Sequence, residues 1–85
     1  MELLDFYADW CGPCQMLKPV IEEFEKAHPE MKMTSVNIDE EEELVEKYGV
    51  SSIPCLVVLK DGKEVAREVG VMPLVKLEKF VKKAE

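Results

Sequence analysis

Two cysteines separated by two residues, Cys11 and Cys14, follow directly on an apolar run that begins at Leu3. This spacing suits a reversible disulfide. The run predicts a strand and the periodic apolar residues after Cys14 predict a helix, so the motif should lie on a strand-to-helix turn. The unpaired N–H groups and the positive dipole end of a helix start stabilise a thiolate, the nucleophilic form of cysteine. The motif therefore predicts reactive thiol chemistry at residues 11–14.

Length and charge limit what else the chain can be. Its 85 residues allow one domain, and 47% hydrophobic with 34% charged residues are typical of a globular protein. No stretch approaches the length of a membrane span. The net charge of −7 argues against nucleic-acid binding, which relies on clustered Lys and Arg. We expect a single domain over residues 1–85, with neither a nucleic-acid nor a membrane partner.

The cysteine count bears on the cellular compartment. Three cysteines cannot all pair within one chain, and a C-x-x-C motif beside a β-α-β pattern indicates redox chemistry rather than a structural disulfide framework. The sequence begins Met1-Glu2 and enters the first strand without the basic and apolar segments of a secretory signal. These features predict a cytoplasmic protein.

Hydrophobic periodicity predicts the element order β-α-β-α-β-β-α. Strands are expected near residues 2–8, 31–38, 53–59 and 64–69, and helices near residues 12–28, 40–48 and 73–84. Asp39 is predicted to cap the second helix and Gly49 to end it. The Asp61-Gly62 pair predicts a tight hairpin between the last two strands. Because the first strand is apolar on both faces except at Asp5, it should be central in the sheet.

This element order, together with Trp10-Cys11-Gly12-Pro13-Cys14 and Ile53-Pro54, closely resembles the thioredoxin family over essentially the whole chain. The other matching residues are 5–8, 19, 36–39, 48–50, 60–62 and 70. The resemblance implies an α/β protein with the thioredoxin fold, a four-stranded mixed sheet, helices on both faces, and a cis peptide bond before Pro54.

The activity implied by the resemblance is that of a protein-disulfide reductase, a thiol–disulfide oxidoreductase. Cys11, nearer the helix start, is expected to have the lower pKa and the greater exposure and to attack a substrate disulfide, and Cys14 is expected to resolve the mixed disulfide. Asp5, a carboxylate within an apolar strand, is expected to accept a proton from Cys14 because burial raises its pKa. The expected substrate-binding surface consists of Trp10, Gly12, Pro13, Ile53, Pro54, Gly70 and Val71.

The implied partners are disulfide-containing proteins and a thioredoxin reductase, linked to NADPH or to ferredoxin. We expect a monomer without a bound cofactor or metal, since a zinc site would need four ligands and only Cys55 and His28 could join the cysteine pair. The sequence leaves two alternatives open. One is a glutaredoxin-like protein recharged by glutathione, against which Trp10 and Gly12-Pro13 argue, and the other is a non-catalytic binding module.

Three features depart from the family pattern. Thioredoxins usually begin with another strand and helix, so this chain looks like a short form with an uncovered sheet edge. Ser35 stands where lysine is common, which could leave Asp5 without a charged neighbour. Cys55 stands where threonine is common after the proline. It is interpreted either as a buried filler or as a third redox thiol close to Cys14.

Overall fold

The chain folds into four strands and three helices in the order that the sequence predicts. The computed structural model describes residues 1–85. The elements are β1 (Glu2–Tyr7), α1 (Gly12–Ala27), β2 (Lys32–Asn37), α2 (Glu42–Tyr48), β3 (Cys55–Lys60), β4 (Lys63–Val69) and α3 (Leu74–Ala84).

The strand that leads into the cysteine motif is central in the sheet. The strand order is β2-β1-β3-β4, with β1 parallel to β2 and antiparallel to β3, and with β3 antiparallel to β4. Side chains alternate along β1, so Leu3 is buried on one face of the sheet while Leu4 and Phe6 are buried on the other. The four-stranded mixed sheet and the central position of β1 are therefore confirmed.

Helices cover both faces of this sheet. On the face of Leu3, α1 and α3 bury a stripe that includes Phe24 and Leu77. On the opposite face, α2 contributes half-buried side chains such as Tyr48, whose ring meets Phe6 edge-on with centroids 6.1 Å apart. None of the three helices is long and apolar enough to cross a membrane.

The first helix begins at the cysteine motif because of its local chemistry. Cys11 is the N-cap in an extended conformation, and Pro13 lies in the first turn, where its missing N–H costs no helical hydrogen bond. The helix continues through Pro19 and ends at Ala27, with His28 as its C-cap. Lys26 in the last turn complements the negative end of the helix dipole.

The prediction that Asp39 caps α2 is wrong. The helix begins at Glu42 with Glu41 as its N-cap, and no side chain caps it. Asn37 explains why the helix begins later than predicted. Its side-chain Oδ1 accepts the Asp39 N–H at 2.9 Å, and its carbonyl accepts the N–H groups of Glu40 and Glu41. These bonds form a turn where the sequence alone favoured the first residues of a helix.

Positive φ angles occur where the sequence predicted turns. Gly49 ends α2 in the left-handed conformation with φ of 60°, and its N–H bonds back to the helix. Asp61 and Gly62, with φ of 53° and 79°, connect β3 to β4 as a hairpin. The peptide bond between Ile53 and Pro54 is cis, as expected.

Candidate active site

The two motif cysteines are joined by a disulfide at the start of α1, with their Cα atoms 5.3 Å apart. Three hydrogen bonds hold this turn. The Cys11 N–H donates to the Ala8 carbonyl, the Gln15 N–H donates to the Cys11 carbonyl, and the Cys14 N–H donates to Cys11 Sγ, all at 3.2 Å. The last bond directs a backbone donor at Cys11 sulfur, and the same donor would favour a thiolate after reduction.

The expectation that Cys11 is more exposed than Cys14 is wrong for this disulfide form. Each residue is 6% exposed. Ala8, Tyr7, Ile38 and Ile53 pack around the pair and exclude solvent from both sulfurs. The difference between the two cysteines therefore lies in their positions on the helix, because only Cys11 is the N-cap.

The residues expected to bind substrate include exposed apolar side chains and one residue that packs on the disulfide. Trp10 is 70% exposed and Val71 is 42% exposed, although both are apolar. Ile53 packs directly on the cysteine cluster. The Gly70 N–H donates to the Pro54 carbonyl at 2.9 Å, which holds the end of β4 beside the cis-proline turn. The two motif residues between the cysteines, Gly12 and Pro13, are exposed.

Trp10 has a partner that sequence reasoning missed. Its indole Nε1 donates to the Asp39 carboxylate at 2.9 Å, across 29 positions of sequence. This bond fixes the polar edge of an otherwise exposed ring. The sequence signal was present, since Asp39 follows the strand adjacent to β1, but the capping interpretation assigned the same carboxylate to a different partner.

Asp5 and Cys14 line one cavity of about 180 Å³. The Asp5 side chain is half-buried, but its Oδ1 atom is fully buried and has no hydrogen-bond partner. Burial raises the pKa of this carboxyl from its usual 3.8 to about 6. The structure thus places a carboxylate of raised proton affinity in the same cavity as Cys14, the residue that sequence analysis paired with it.

Cys55 lies on the other face of the sheet. It is 2% exposed, pairs across the strands with Phe6, and belongs to the cluster covered by α2. Its thiol is free, and burial raises its pKa. Cys55 and the Cys11–Cys14 pair therefore belong to different apolar clusters, although Ile38 and Ile53 pack against both. The structure contains no group of three His, Cys, Asp or Glu side chains placed to hold a metal ion.

Known proteins match this chain along nearly its full length. The family model described as Thioredoxin matches residues 1–83. A thioredoxin from Bacillus subtilis is 46% identical over 82 residues, which cover 95% of this chain and 79% of the relative. A thioredoxin from Chlamydia caviae is 54% identical over 69 residues, covering 81% of this chain and 68% of the relative.

Solved structures agree with these matches. The X-ray structure of Fasciola hepatica thioredoxin superposes with a TM-score of 0.91 at 38% identity, covering 99% of this chain and 80% of that one. A mutant thioredoxin from Halobacterium salinarum gives a TM-score of 0.88 at 38% identity, covering 98% and 73% respectively. The likeness includes both the fold and the sequence.

Proposed function

Since the chain belongs to the thioredoxin family and is a thiol–disulfide oxidoreductase that reduces protein disulfides, we propose that Cys11 is its attacking thiol and Cys14 its resolving thiol. The observation that carries this assignment is the position of Cys11 as N-cap of α1. At this position the N–H of Cys14 points at the sulfur of Cys11, and the positive end of the helix dipole favours the Cys11 thiolate. Cys14, within the first turn, has no such donor.

The reaction consists of two thiol–disulfide exchanges. The Cys11 thiolate attacks one sulfur of a substrate disulfide, the substrate S–S bond breaks, and one substrate thiolate leaves and takes up a proton from water. Cys14 then gives up its proton and attacks Cys11 Sγ, which releases the second substrate thiolate. Two electrons pass to the substrate, and the Cys11–Cys14 disulfide of this structure is the oxidised product.

Asp5 is the proposed acceptor of the Cys14 proton. Both residues line the same cavity, and the unpartnered Oδ1 atom leaves an acceptor position open. A carboxyl with a pKa of about 6 is mostly ionised at neutral pH yet binds a proton far better than an ordinary aspartate. Position and proton affinity together suit Asp5 to the resolving step.

The proposed substrate surface is the exposed apolar rim around the disulfide. Trp10, Val71 and the exposed Pro13 supply apolar area, while Gly12 and Gly70 leave room for an approaching chain. An extended substrate segment would lie along Ile53 and Pro54 and bind chiefly through main-chain hydrogen bonds. Such recognition suits a reductase that accepts many different disulfides.

The partners of the family are disulfide-containing proteins and a thioredoxin reductase. We propose that a reductase linked to NADPH or ferredoxin recharges this protein, which acts as a cytoplasmic monomer of one domain without a bound cofactor. One sheet joins all four strands, which supports a single domain. The C-x-x-C motif at the start of the β1-α1-β2 unit is typical of an intracellular redox protein.

The Cys14→Ser variant tests the assignment of the two thiols. With Cys55→Ser in the background, the reduced variant is mixed with a disulfide-containing protein such as insulin and resolved on a non-reducing gel. A mixed disulfide through Cys11 should accumulate, because no resolving thiol remains. The matched Cys11→Ser variant should capture little substrate. Equal capture by both variants would refute the assignment.

A further inference from the structure

The cavity shared by Asp5 and Cys14 contains a second ionisable group from α1, Lys18. Lys18 follows Cys14 by four residues, so the two side chains lie one turn apart on the same face of the helix. The Lys18 side chain is exposed, and it takes part in none of the ion pairs or side-chain hydrogen bonds of the chain. Its ammonium is therefore free to respond to a charge that develops in the cavity.

The strand next to Asp5 offers no positive charge. Asp5 is in register with Ser35 on β2 and with Leu56 on β3. Ser35 lines the cavity, yet no hydroxyl or cation reaches the buried Oδ1 atom of Asp5. The carboxylate that should accept a proton thus has no direct partner for its negative charge.

The other titratable groups near Asp5 do not provide that charge either. Tyr7 and Asp9 line the cavity from β1 and the segment after it, and Cys14 lines it from α1. Cys55 lies on β3, where burial is the main cause of the raised pKa of its thiol and the negative charge of Asp5 is a smaller one. Each of these groups is neutral or negative in its ordinary states. Lys18 is the one cation that lines the cavity.

We propose that Lys18 is a positioning residue that favours the ionised form of Asp5 across this cavity, supplying from α1 the positive charge that Ser35 does not supply from β2. The inference rests on the role of Asp5 proposed above. The cavity is polar and large enough for water, so the ammonium acts through solvent rather than by direct contact. Asp5 then remains ionised, and able to accept the Cys14 proton, at a lower pH than it otherwise would.

The pH dependence of insulin reduction between pH 5 and 8 tests this inference in the full chain. Lys18→Met should move the acidic limb of the rate profile to higher pH by about 0.5 unit. This shift is smaller than the roughly 1–3 units of a direct ion pair because the ammonium is exposed. Lys18→Arg should keep the wild-type profile. Ser35→Lys combined with Lys18→Met should move the acidic limb back to its wild-type position or to a lower pH, because the charge returns on the residue that is in register with Asp5.

A spectroscopic titration separates proton affinity from substrate docking. The ¹³C shift of the Asp5 carboxyl carbon in the oxidised protein should report a higher pKa in Lys18→Met than in the wild type. A structural or docking role of Lys18 would leave that titration unchanged. An unchanged carboxyl titration, or a rate loss of the same factor at every pH, would overturn the inference.

The Asp5→Asn background distinguishes the two proposals. If Asp5→Asn leaves the pH profile of the wild type intact, both the role of Asp5 and the inference about Lys18 fail. If Asp5→Asn changes the profile but Lys18→Met does not, only the inference about Lys18 fails. The supporting result is a Lys18→Met effect that is present in the wild type and absent in the Asp5→Asn background.

Discussion

Replacing Asp5 with Asn should stabilise the protein at neutral pH and not at acidic pH. Burial raises the pKa of Asp5 from 3.8 to about 6, and each unit of pKa corresponds to about 1.4 kcal/mol. Ionised Asp5 therefore costs the folded state about 3 kcal/mol at pH 7.5. The folded chain holds this proton more tightly than the unfolded chain. The stability that protonated Asp5 contributes is thus fully present below pH 3.8 and is lost as the pH rises through about 6.

The expected result is a pH-dependent difference between Asp5→Asn and the wild type. At pH 7.5 the variant should gain up to about 3 kcal/mol, and near pH 4 the gain should fall below about 1 kcal/mol. The amide also buries donors that lack partners, which costs stability, but that cost is the same at both pH values. The quantity to compare is therefore how much the stability gain of Asp5→Asn over the wild type differs between pH 7.5 and pH 4.

Urea unfolding of the disulfide form at pH 4 and pH 7.5 measures this quantity. A change of about 3 kcal/mol moves the midpoint by roughly 1–3 M for a domain of this size. Asp9→Asn is the matched control, since Asp9 is an exposed aspartate on the same cavity, and its effect should remain within about 0.5 kcal/mol. A gain for Asp5→Asn that is equal at both pH values would refute the reasoning.

Three further outcomes follow from the packing. Leu77→Ala should lower the free energy of unfolding by about 2–5 kcal/mol because Leu77 is fully buried, whereas Val75→Ala, at a 61% exposed position on the same helix, should cost less than about 1 kcal/mol. Gly49→Ala should lower the free energy of unfolding, measured in urea, by about 1–2 kcal/mol. The cost comes from the φ of 60° alone, because an added Cβ meets no neighbour. Cys55 should resist iodoacetamide in the folded protein and react in urea, because burial disfavours its thiolate, and rapid labelling of the folded chain would contradict this.

Much of the fold could be predicted because single residues determine it locally. The apolar residues on both faces of β1 predicted a central strand covered by helices on each side, and Leu3 and Phe6 are buried on opposite faces of the sheet. Gly49 and the Asp61-Gly62 pair were informative because few residues tolerate a positive φ. Asp39 was misassigned because Asn37, two residues earlier, competes for the same backbone donors.

The site was less predictable than the fold because burial depends on contacts between distant elements. The sequence predicted the helix start at the motif, but Ile53 and Ile38 from other segments bury Cys11 as deeply as Cys14. The Asp5 cavity combines residues from β1, α1 and β2, so Lys18 could not be connected to it from spacing alone. The face of Cys55 was accessible to sequence reasoning, since alternation along β3 places it with Val57 rather than with Leu56.

The destabilisation by Asp5 and its proposed role have the same physical origin. For a thiol of reference pKa near 8.5, transfer of its proton to an aspartate of pKa 3.8 would be unfavourable by about 4.7 pKa units, or about 6 kcal/mol. With the Asp5 pKa at about 6, the difference falls to about 2.5 units, or about 3.4 kcal/mol. The transfer becomes easier by about 3 kcal/mol, which is the free energy that ionised Asp5 takes from the folded state. A substitution that gives Asp5 a direct ion pair would lower its pKa, and should therefore stabilise the fold and slow the resolving step together. The solvent-exposed Lys18 lowers the cost of the buried charge only in part, so it leaves most of the raised pKa in place.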